Sequence, residues 1–273
     1  MRKKVSIVVS SPMTVNSFLR RHILELSKKY DIYLIANFNG CSNDFKMEGV
    51  CFTYDVPLSR NINLKSDVYN LVLLIRIFYR LKCDAVHSIT PKAGLLGMLA
   101  ARISGVPNRF HTFTGQVWAN RSGLSRFFLK CADRLIFHCT TTSLVDSNSQ
   151  RDFLISERVI NKNKSLVLAN GSISGVNISR FFKDVSGGLK LRESLGIPVG
   201  AVVFLFVGRL CLDKGVDELI SSYKKLSLLH TGTYLIMAGP NEGKYTKDYF
   251  SRLGIKKLSA EAFLNVETLG ILG

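Results

Sequence analysis

The segment Phe206-Val-Gly-Arg-Leu-Cys-Leu-Asp-Lys-Gly215 contains the strongest local structural signal in the sequence. Its first residues complete an apolar run that is typical of a buried strand, and Gly208 then permits a tight turn. Two cations, Arg209 and Lys214, bracket this turn, and the residues that follow it have the apolar spacing of a helix. Cations beside a helix N-terminus favour a diphosphate, because the free helical amides and the positive charges both attract anions. We therefore predict a diphosphate-binding site at four residues, Gly208, Arg209, Lys214 and Gly215.

The alternation of strand and helix continues around this segment. We predict a strand over 201–207, a helix over 215–229 and a strand over 233–238. Glycines are frequent between residues 170 and 200, which indicates a connection between two domains, with one short helix over 189–195. Gly171 and Gly175 are the predicted hinge residues. We therefore predict an amino-terminal domain over 1–178, a linker over 179–200 and a second domain over 201–273.

The first domain has the pattern of a doubly wound α/β fold. Short apolar runs predict strands over residues 5–9, 31–36, 50–54, 85–88, 109–113, 134–138 and 166–169. Helical patterns fall between most of them, over residues 15–29, 66–81, 93–104, 124–131 and 144–155. Strands of nearly continuous apolar content, separated by helices, indicate a parallel sheet that is covered on both faces. The predicted fold is therefore α/β, with two Rossmann-like domains in tandem.

Polar and small residues follow the first, fourth and fifth predicted strands. In open α/β sheets, ligands bind beyond the carboxyl ends of the strands. We therefore predict that four residues of these loops contact a substrate: Ser11, Lys92, Thr114 and Gly115.

The charge of the chain is extreme, since 37 Lys and Arg against 20 Asp and Glu give a net charge of +17. Such a charge attracts nucleic acid, an anionic membrane or a phosphate-rich substrate, and the charge alone does not distinguish among these partners.

The six cysteines include no Cys-x-x-Cys pair, so we expect reduced thiols rather than a zinc site or a disulfide framework. No apolar run is long enough to span a membrane and no cleavage site follows the first strand, so we expect a cytoplasmic protein.

Several motifs, in the same order and spacing, are similar to those of family 4 glycosyltransferases, which have the GT-B fold of two Rossmann-like domains. The segment 206–215 resembles the Gly-Arg-x(4)-Lys-Gly motif that opens the second domain of that family. Segments 86–94 and 109–118 resemble the first-domain pattern of transferases of bacterial surface polysaccharides, O-antigen and capsule. Segment 170–181 resembles the family's linker, in a longer variant. The resemblance covers residues 5 to about 240.

This resemblance implies a hexosyl- or N-acetylhexosaminyl-transferase. The donor would be a nucleoside-diphosphate sugar and the acceptor a lipid-linked oligosaccharide. The first domain would be the acceptor side, and the second would bind the nucleotide sugar. Ser11, Lys92, Thr114 and Gly115 would contact the acceptor or the donor sugar in the cleft. In the family, the residues that match Arg209 and Lys214 hold the donor diphosphate and stabilise the departing nucleotide. No Asp-x-Asp pair occurs, so we expect neither a metal ion nor another cofactor.

The chain departs from the family pattern at two places. Thr114 occupies the position of a histidine that touches the donor sugar in many members, and a hydroxyl cannot serve as a general base near neutral pH. His111 lies within a predicted strand and is interpreted as a core or strand-end residue, so no catalytic residue is assigned. The family's Glu-x(7)-Glu motif is absent, because no two glutamates are eight positions apart. We therefore expect a carboxyl-terminally truncated chain with an incomplete second domain, exposed apolar strands over 202–207 and 234–237, and impaired transferase activity.

Two other classes of function compete with this interpretation. A basic, non-catalytic Rossmann-type protein that binds nucleic acid or a partner chain would also explain the charge, yet we find no nucleic-acid motif and expect no nucleic-acid partner. A dinucleotide-dependent oxidoreductase requires Gly-x-Gly-x-x-Gly after the first strand, and residues 10–15 contain no glycine.

Apolar and basic residues interleave over 60–82 and again over 118–130. Such segments suit peripheral docking to the inner face of an anionic membrane, and equally a helix with one solvated side.

Overall fold

The computed structural model describes residues 2–39, 47–59 and 62–241, together with the backbone of 257–258 and 269–272. The chain divides into two compact units, residues 1–177 and residues 178–273, each with its own sheet and core. Arg60, near the start of the basic segment 60–82, lies outside the described residues.

The first unit is built on a parallel sheet. Its strands are β1 (Lys4–Val8), β2 (Asp31–Ala36), β3 (Phe52–Asp55), β4 (Ala85–Ile89), β5 (Asn108–Phe113), β6 (Thr142–Val145) and β7 (Ser165–Leu166). They pair in the order β3-β2-β1-β4-β5-β6-β7, all in parallel, so the prediction of a parallel, doubly wound sheet is confirmed. The direction of the strand order reverses between β1 and β4, so their carboxyl ends form the switch point at which open α/β sheets bind ligands.

Helices cover both faces of this sheet. They are α1 (Pro12–Thr14), α2 (Arg20–Ser27), α3 (Leu64–Leu81), α4 (Pro91–Ile103), α5 (Gly123–Cys139) and α6 (Asn148–Ser156), with a π-helical segment over Val15–Leu19. Ile7 and Val8 are adjacent in β1 and therefore face opposite sides of the sheet. Val8 packs in the core beneath α3 to α6, and Ile7 packs in a second core beneath α2 and the π-helical segment. In the described part of the chain, no helix is both long and apolar enough to cross a membrane.

One region of the first unit differs from the sequence prediction. Residues 134–138, predicted as a strand, are helical and belong to α5. The buried residues Asp133, Ile136 and Cys139 recur at helical spacing, whereas the short apolar run alone does not distinguish a strand from a helix. The sixth strand is β6, whose alternately buried residues extend into the start of the helix predicted over 144–155.

The second unit contains a smaller sheet. Its elements are α7 (Val185–Ser194), β8 (Val202–Val207), α8 (Val216–Leu229), β9 (Thr233–Ala238), β10 (Lys257–Leu258) and β11 (Leu269–Leu272). The sheet order is β10-β11-β9-β8, with β8 parallel and β11 antiparallel to β9. Among the residues described up to Asn241, six buried side chains form its main core: Leu210, Val216, Ile220, Tyr223, Leu235 and Met237. The predicted strand-helix-strand series of this unit is confirmed.

The predicted exposure of apolar strands is correct for β8 and wrong for β9. β8 lies at an edge of the described sheet, and Val202, Leu205 and Val207 are each more than half exposed. β9 has a neighbouring strand on each side and packs against α8, so Leu235 and Met237 are buried.

Candidate functional site

The loop after β8 is packed against the loop after β9. Gly208 N donates a hydrogen bond to Ala238 O at 2.9 Å. Leu210 N donates one to Pro240 O at 2.8 Å. A Cβ atom on Gly239 would clash with the Gly208 carbonyl, so glycine is required there. These contacts fix the backbone of the loop for which diphosphate binding is predicted.

Arg209 and Lys214 are exposed side chains of this same loop. Gly215 has a left-handed φ of 70° and directly precedes α8, and among the described residues no side chain caps the N-terminus of this helix. The first amides of α8 are therefore able to bind an anion. Asp217 and Glu218 lie in the same turn, where they reduce the positive potential. The loop thus combines two cations with a helix N-terminus, and its binding of a diphosphate stays a prediction.

Two hydroxyls meet at the switch point of the first sheet. Ser10 Oγ lies 2.7 Å from Thr90 Oγ1, which joins the loop after β1 to the loop after β4. Ser11, predicted from the sequence, instead caps the N-terminus of α1, where its Oγ accepts a hydrogen bond from Met13 N at 3.2 Å. Ser10, rather than Ser11, therefore makes the contact across the switch point.

Lys92 lies in the first turn of α4 and forms an ion pair. Its Nζ lies 2.7 Å from Asp67 Oδ1 in the first turn of α3, and both side chains are largely buried. Asn70, one turn further along α3, is also buried and donates to Pro57 O at 3.0 Å. The charge of Lys92 is thus neutralised within the first unit, which favours a structural role for this cation over direct binding of an anion.

Two glutamines hold the loop after β5. Gln116 Nε2 donates to Thr114 O at 2.6 Å, and Gln150 Nε2 donates to the same carbonyl oxygen. The backbone N–H of Asp146 in turn donates to Gln150 Oε1 at 3.0 Å, so the loops after β5 and β6 are joined. Gly115 is exposed, and no described atom would touch a Cβ added there. The backbone of Thr114 is therefore fixed, while Gly115 leaves open space beside it.

Trp118 lies in this loop and is buried. Its ring stacks on Phe153, with the ring centroids 5.5 Å apart. Arg126 and Lys130 of α5 lie 5.2 and 5.5 Å from the centroid of the indole ring. Glu157 pairs with both cations, at 3.0 Å from Arg126 and 2.5 Å from Lys130. This cluster fastens the loop after β5 to α5 and α6.

Of the two strand histidines, His111 is buried in the sheet and His87 is half-buried. His111 Nδ1 lies 2.8 Å from Ser88 Oγ, and His87 Nε2 lies 2.8 Å from Thr112 Oγ1. Burial lowers the pKa of His111 to about 3 and that of His87 to about 4, because the imidazolium form would lose its hydration. Both rings are therefore neutral at physiological pH. The interpretation of His111 as a core histidine is confirmed.

The two predicted hinge glycines have different surroundings. Gly171 has a φ of 91°, and a Cβ there would collide with the carbonyl oxygen of Asp146. The same carbonyl accepts a hydrogen bond from Ser172 N at 2.6 Å. Gly175 has a φ of 63°, and no described atom lies near its missing Cβ. Gly171 thus packs against the end of β6, and the hinge role of both residues stays a prediction.

The structure places Ser11, Thr114 and Gly115 in loops and Lys92 in the first turn of α4, all at one edge of the first sheet, beyond the carboxyl ends of β1, β4 and β5. Sequence reasoning missed four residues that organise this edge: Ser10, Asp67, Thr90 and Gln150. The nearest local signal was Pro91, which excludes helical backbone at Thr90 but gives no partner for it.

Comparisons with known proteins identify relatives of the chain. It is 29% identical over 222 residues to the capsular polysaccharide biosynthesis glycosyltransferase CapM of Staphylococcus aureus, a match that covers 81% of this chain and 57% of the relative. It is 30% identical over 185 residues to the UDP-Gal:alpha-D-GlcNAc-diphosphoundecaprenol alpha-1,3-galactosyltransferase of Escherichia coli, covering 67% of this chain and 47% of the relative. The chain therefore spans about half the length of the curated relatives it matches. No family model matches the chain.

Solved structures share the fold at low sequence identity. Sucrose-phosphate synthase from Thermosynechococcus elongatus superposes with a TM-score of 0.69 at 13% identity, covering 93% of this chain and 68% of that one. A UDP-GlcNAc 2-epimerase from Neisseria meningitidis superposes with a TM-score of 0.60 at 16% identity, covering 92% and 70%. The chain is thus a homologue of glycosyltransferases that are named for capsular-polysaccharide biosynthesis and for sugar transfer to a diphosphoundecaprenol-linked GlcNAc, and it has the α/β fold of the GT-B glycosyltransferases.

Proposed function

We propose that the protein acts in the transfer of a sugar from a nucleoside-diphosphate-sugar donor to a lipid-linked oligosaccharide during surface-polysaccharide synthesis. Both curated relatives are named as glycosyltransferases, and one name specifies a UDP-sugar and a diphosphoundecaprenol-linked acceptor. The fold alone does not select transfer, because a sugar-nucleotide epimerase shares it. The sequence relatives favour transfer over epimerisation, and they do not support a non-catalytic basic binding protein.

The loop over 208–215 is the observation that carries the donor half of this proposal. Arg209 and Lys214 are exposed on a loop whose backbone is fixed by the neighbouring β9 loop, and α8 begins directly after it. Charge-assisted hydrogen bonds from these side chains would hold a diphosphate, and the helix amides would add to them. The same groups would stabilise the negative charge that develops on the departing nucleoside diphosphate. In this proposal the cationic role needs no metal ion.

Peripheral docking to an anionic membrane is the second part of the proposal. The solvent sides of α3 and α5 carry exposed apolar residues beside basic ones, and α4 packs between the two helices. We call this surface the docking patch; it comprises Leu64, Lys65, Val68, Val72, Arg76, Arg80, Leu124, Phe127 and Phe128. The acidic residues of these helices do not oppose it, because Asp67 is paired with Lys92 and Asp133 is buried. Apolar side chains flanked by Lys and Arg suit the interface of an anionic bilayer, where a lipid-linked acceptor resides.

Titration of the purified chain with UDP tests the donor half. R209A and K214A should each weaken UDP binding by about 1.5–3 kcal/mol, the value of a charge-assisted hydrogen bond. K225A is the matched control, because Lys225 is an exposed lysine in the second half of α8. Parallel titrations with GDP, NAD and a short DNA duplex test the nucleotide base and the competing classes of function. Unchanged UDP affinity in both loop variants would remove the basis of the donor site.

A further inference from the structure

Thr90 has a backbone conformation that threonine rarely adopts. Its φ is 77° and its ψ is 142°. Positive φ is disfavoured for a β-branched residue, and strain of this kind persists when the surrounding structure enforces it. Lys82 also has positive φ, but its φ of 50° and ψ of 57° lie in the left-handed helical region that commonly ends a helix. Thr90 is therefore strained in a different way from an ordinary helix end.

Two hydrogen bonds and the following proline restrict the backbone of Thr90. Its carbonyl oxygen accepts the hydrogen bond of Gly94 N at 2.8 Å, which starts α4. Pro91 excludes helical backbone at the preceding residue. The hydroxyl lies 2.7 Å from Ser10 Oγ, and among the described contacts it does not cap α4. The side chain of Thr90 is thus used to join the loops after β1 and β4.

The Ser10–Thr90 pair has the hydrogen-bonding capacity of a site for a sugar hydroxyl. Each hydroxyl has one donor and two acceptor lone pairs, so a mutually bonded pair retains about one donor and three acceptors. Both residues are half-buried at the switch point of the sheet, so they are reachable from solvent. Lys92, two residues after Thr90, is paired with Asp67, so its charge is compensated. Compensated charge beside paired hydroxyls fits a neutral sugar better than a phosphate.

We propose that Ser10 and Thr90 position the acceptor by hydrogen-bonding a hydroxyl of its sugar, and that the strained backbone of Thr90 preorganises this contact. This inference rests on the proposed transferase function, since it names the part of the substrate that the first sheet contacts. A sugar hydroxyl could also come from the donor, and the two sources are separated by titrating each substrate alone.

Four variants test the contact by calorimetry, with a short-chain α-GlcNAc diphosphate lipid as the acceptor probe and UDP-GlcNAc as the donor probe. T90V keeps the shape and the strain but removes the hydroxyl, and S10A removes its partner. Each should weaken acceptor binding about three- to tenfold, the value of one neutral hydrogen bond, while T90S stays near wild type. The affinity for the donor probe should be unchanged in T90V, S10A and T90S. T90G should bind the acceptor as weakly as T90V does. Its melting temperature should nevertheless be higher than that of the wild-type chain, because glycine relieves the strain at this position.

K82G is the matched control for the backbone effect. Glycine there should also raise the melting temperature, because it suits the left-handed end of α3, but acceptor affinity should stay unchanged. Wild-type acceptor affinity in folded T90V and S10A would overturn the inference, and so would the absence of acceptor binding by the wild-type chain. A loss of donor instead of acceptor affinity in T90V would also overturn it. A chain that binds the acceptor probe through Thr90 but does not bind UDP would support this inference while contradicting the proposed donor loop.

Discussion

Trp118 Nε1 donates a hydrogen bond to Asp133 Oδ2 at 2.6 Å, and both side chains are buried. Trp118 lies in the loop after β5 and Asp133 lies within α5, so the bond fastens this loop to the helix that follows it. Burial raises the pKa of the Asp133 carboxyl to about 6, because the carboxylate form loses hydration, and the hydrogen bond from Trp118 offsets this in part. Arg126 and Lys130 lie over the same indole ring and are paired with Glu157.

The pKa of Asp133 predicts a pH dependence of stability. The folded chain binds this proton more tightly than the unfolded chain, whose carboxyl has the ordinary value of 3.8. The contribution of Asp133 is therefore most favourable below about pH 4 and is lost as the pH rises towards 6. D133N should reduce the change in the free energy of unfolding between low and neutral pH by up to about 3 kcal/mol. Urea denaturation at about pH 4 and about pH 8 measures the difference.

Glu157 provides a control of opposite sign. Its pKa is lowered by the hydrogen bond from Lys130, and the bond from Arg126 lowers it further. Its contribution is present above the ordinary pKa and is lost as the pH falls. E157Q should therefore lower the free energy of unfolding, relative to wild type, more at neutral pH than at low pH. D133N should have the opposite pattern, with a change relative to wild type that is more favourable to the folded state at neutral pH than at low pH. A D133N chain with the same pH dependence as wild type would contradict the assignment.

Gly94 and Gly97 give a matched pair of substitutions within α4. A Cβ at Gly94 would collide with the ring of buried His111, whereas a Cβ at Gly97 would lie 3.4 Å from Val8 Cγ1, close to ordinary contact. Both changes to alanine gain helix propensity, about 1 kcal/mol each. G94A should nevertheless lose about 1–3 kcal/mol to overpacking, while G97A should be neutral or stabilising. Thermal unfolding of the two variants compares them directly, and equal melting temperatures would show that His111 moves aside at little cost.

Binding of the docking patch to membranes should depend on charge and salt. The chain should sediment with anionic vesicles more than with zwitterionic ones, and added salt should release it, because Lys and Arg near the surface each contribute about 1 kcal/mol. R76Q/R80Q should therefore lower partitioning to anionic vesicles about 5- to 30-fold. Equal recovery on both kinds of vesicle would refute the docking proposal.

The apolar part of the docking patch has its own test. Phe127 and Phe128 are 57% and 65% exposed and contact each other edge to face. F127S/F128S should reduce binding to anionic vesicles while leaving its salt dependence intact, since the basic residues remain. L228S/L229S is the matched control, because Leu228 and Leu229 of α8 are even more exposed. A comparable loss in both double variants would indicate nonspecific adhesion instead of docking.

Much of the fold could be predicted from the sequence, because its signals are local. Apolar runs and helical spacing located most strands and helices. The rule that ligands bind beyond the carboxyl ends of strands selected residues that the structure places at one edge of the first sheet. The Ser10–Thr90 and Asp67–Lys92 contacts could not be predicted, because each joins residues distant in sequence through the pairing of strands and the packing of helices. The positive φ of Thr90 has no local signal, since Pro91 restricts the preceding residue without requiring that conformation. The error over 134–138 arose because its short apolar run fits either a strand or a helix.

Proteolysis should begin at the start of the second unit, over residues 178–184. Phe181 and Phe182 are 64% and 71% exposed, and Lys183 beside them is also exposed. Proteases cut preferentially where exposed backbone lies outside packed structure. Chymotrypsin should therefore cut first after Phe181 or Phe182 and leave the first unit as a resistant product, because that unit has a buried core on each face of a seven-stranded sheet. F181S/F182S should remove this cut for chymotrypsin, while trypsin should still cut this variant at Lys183. Cleavage by trypsin would show that the backbone of this segment is accessible whether or not the aromatic residues are present. Mass spectrometry of the time course identifies the ends, and equal resistance from residue 178 to residue 200 would contradict the expectation.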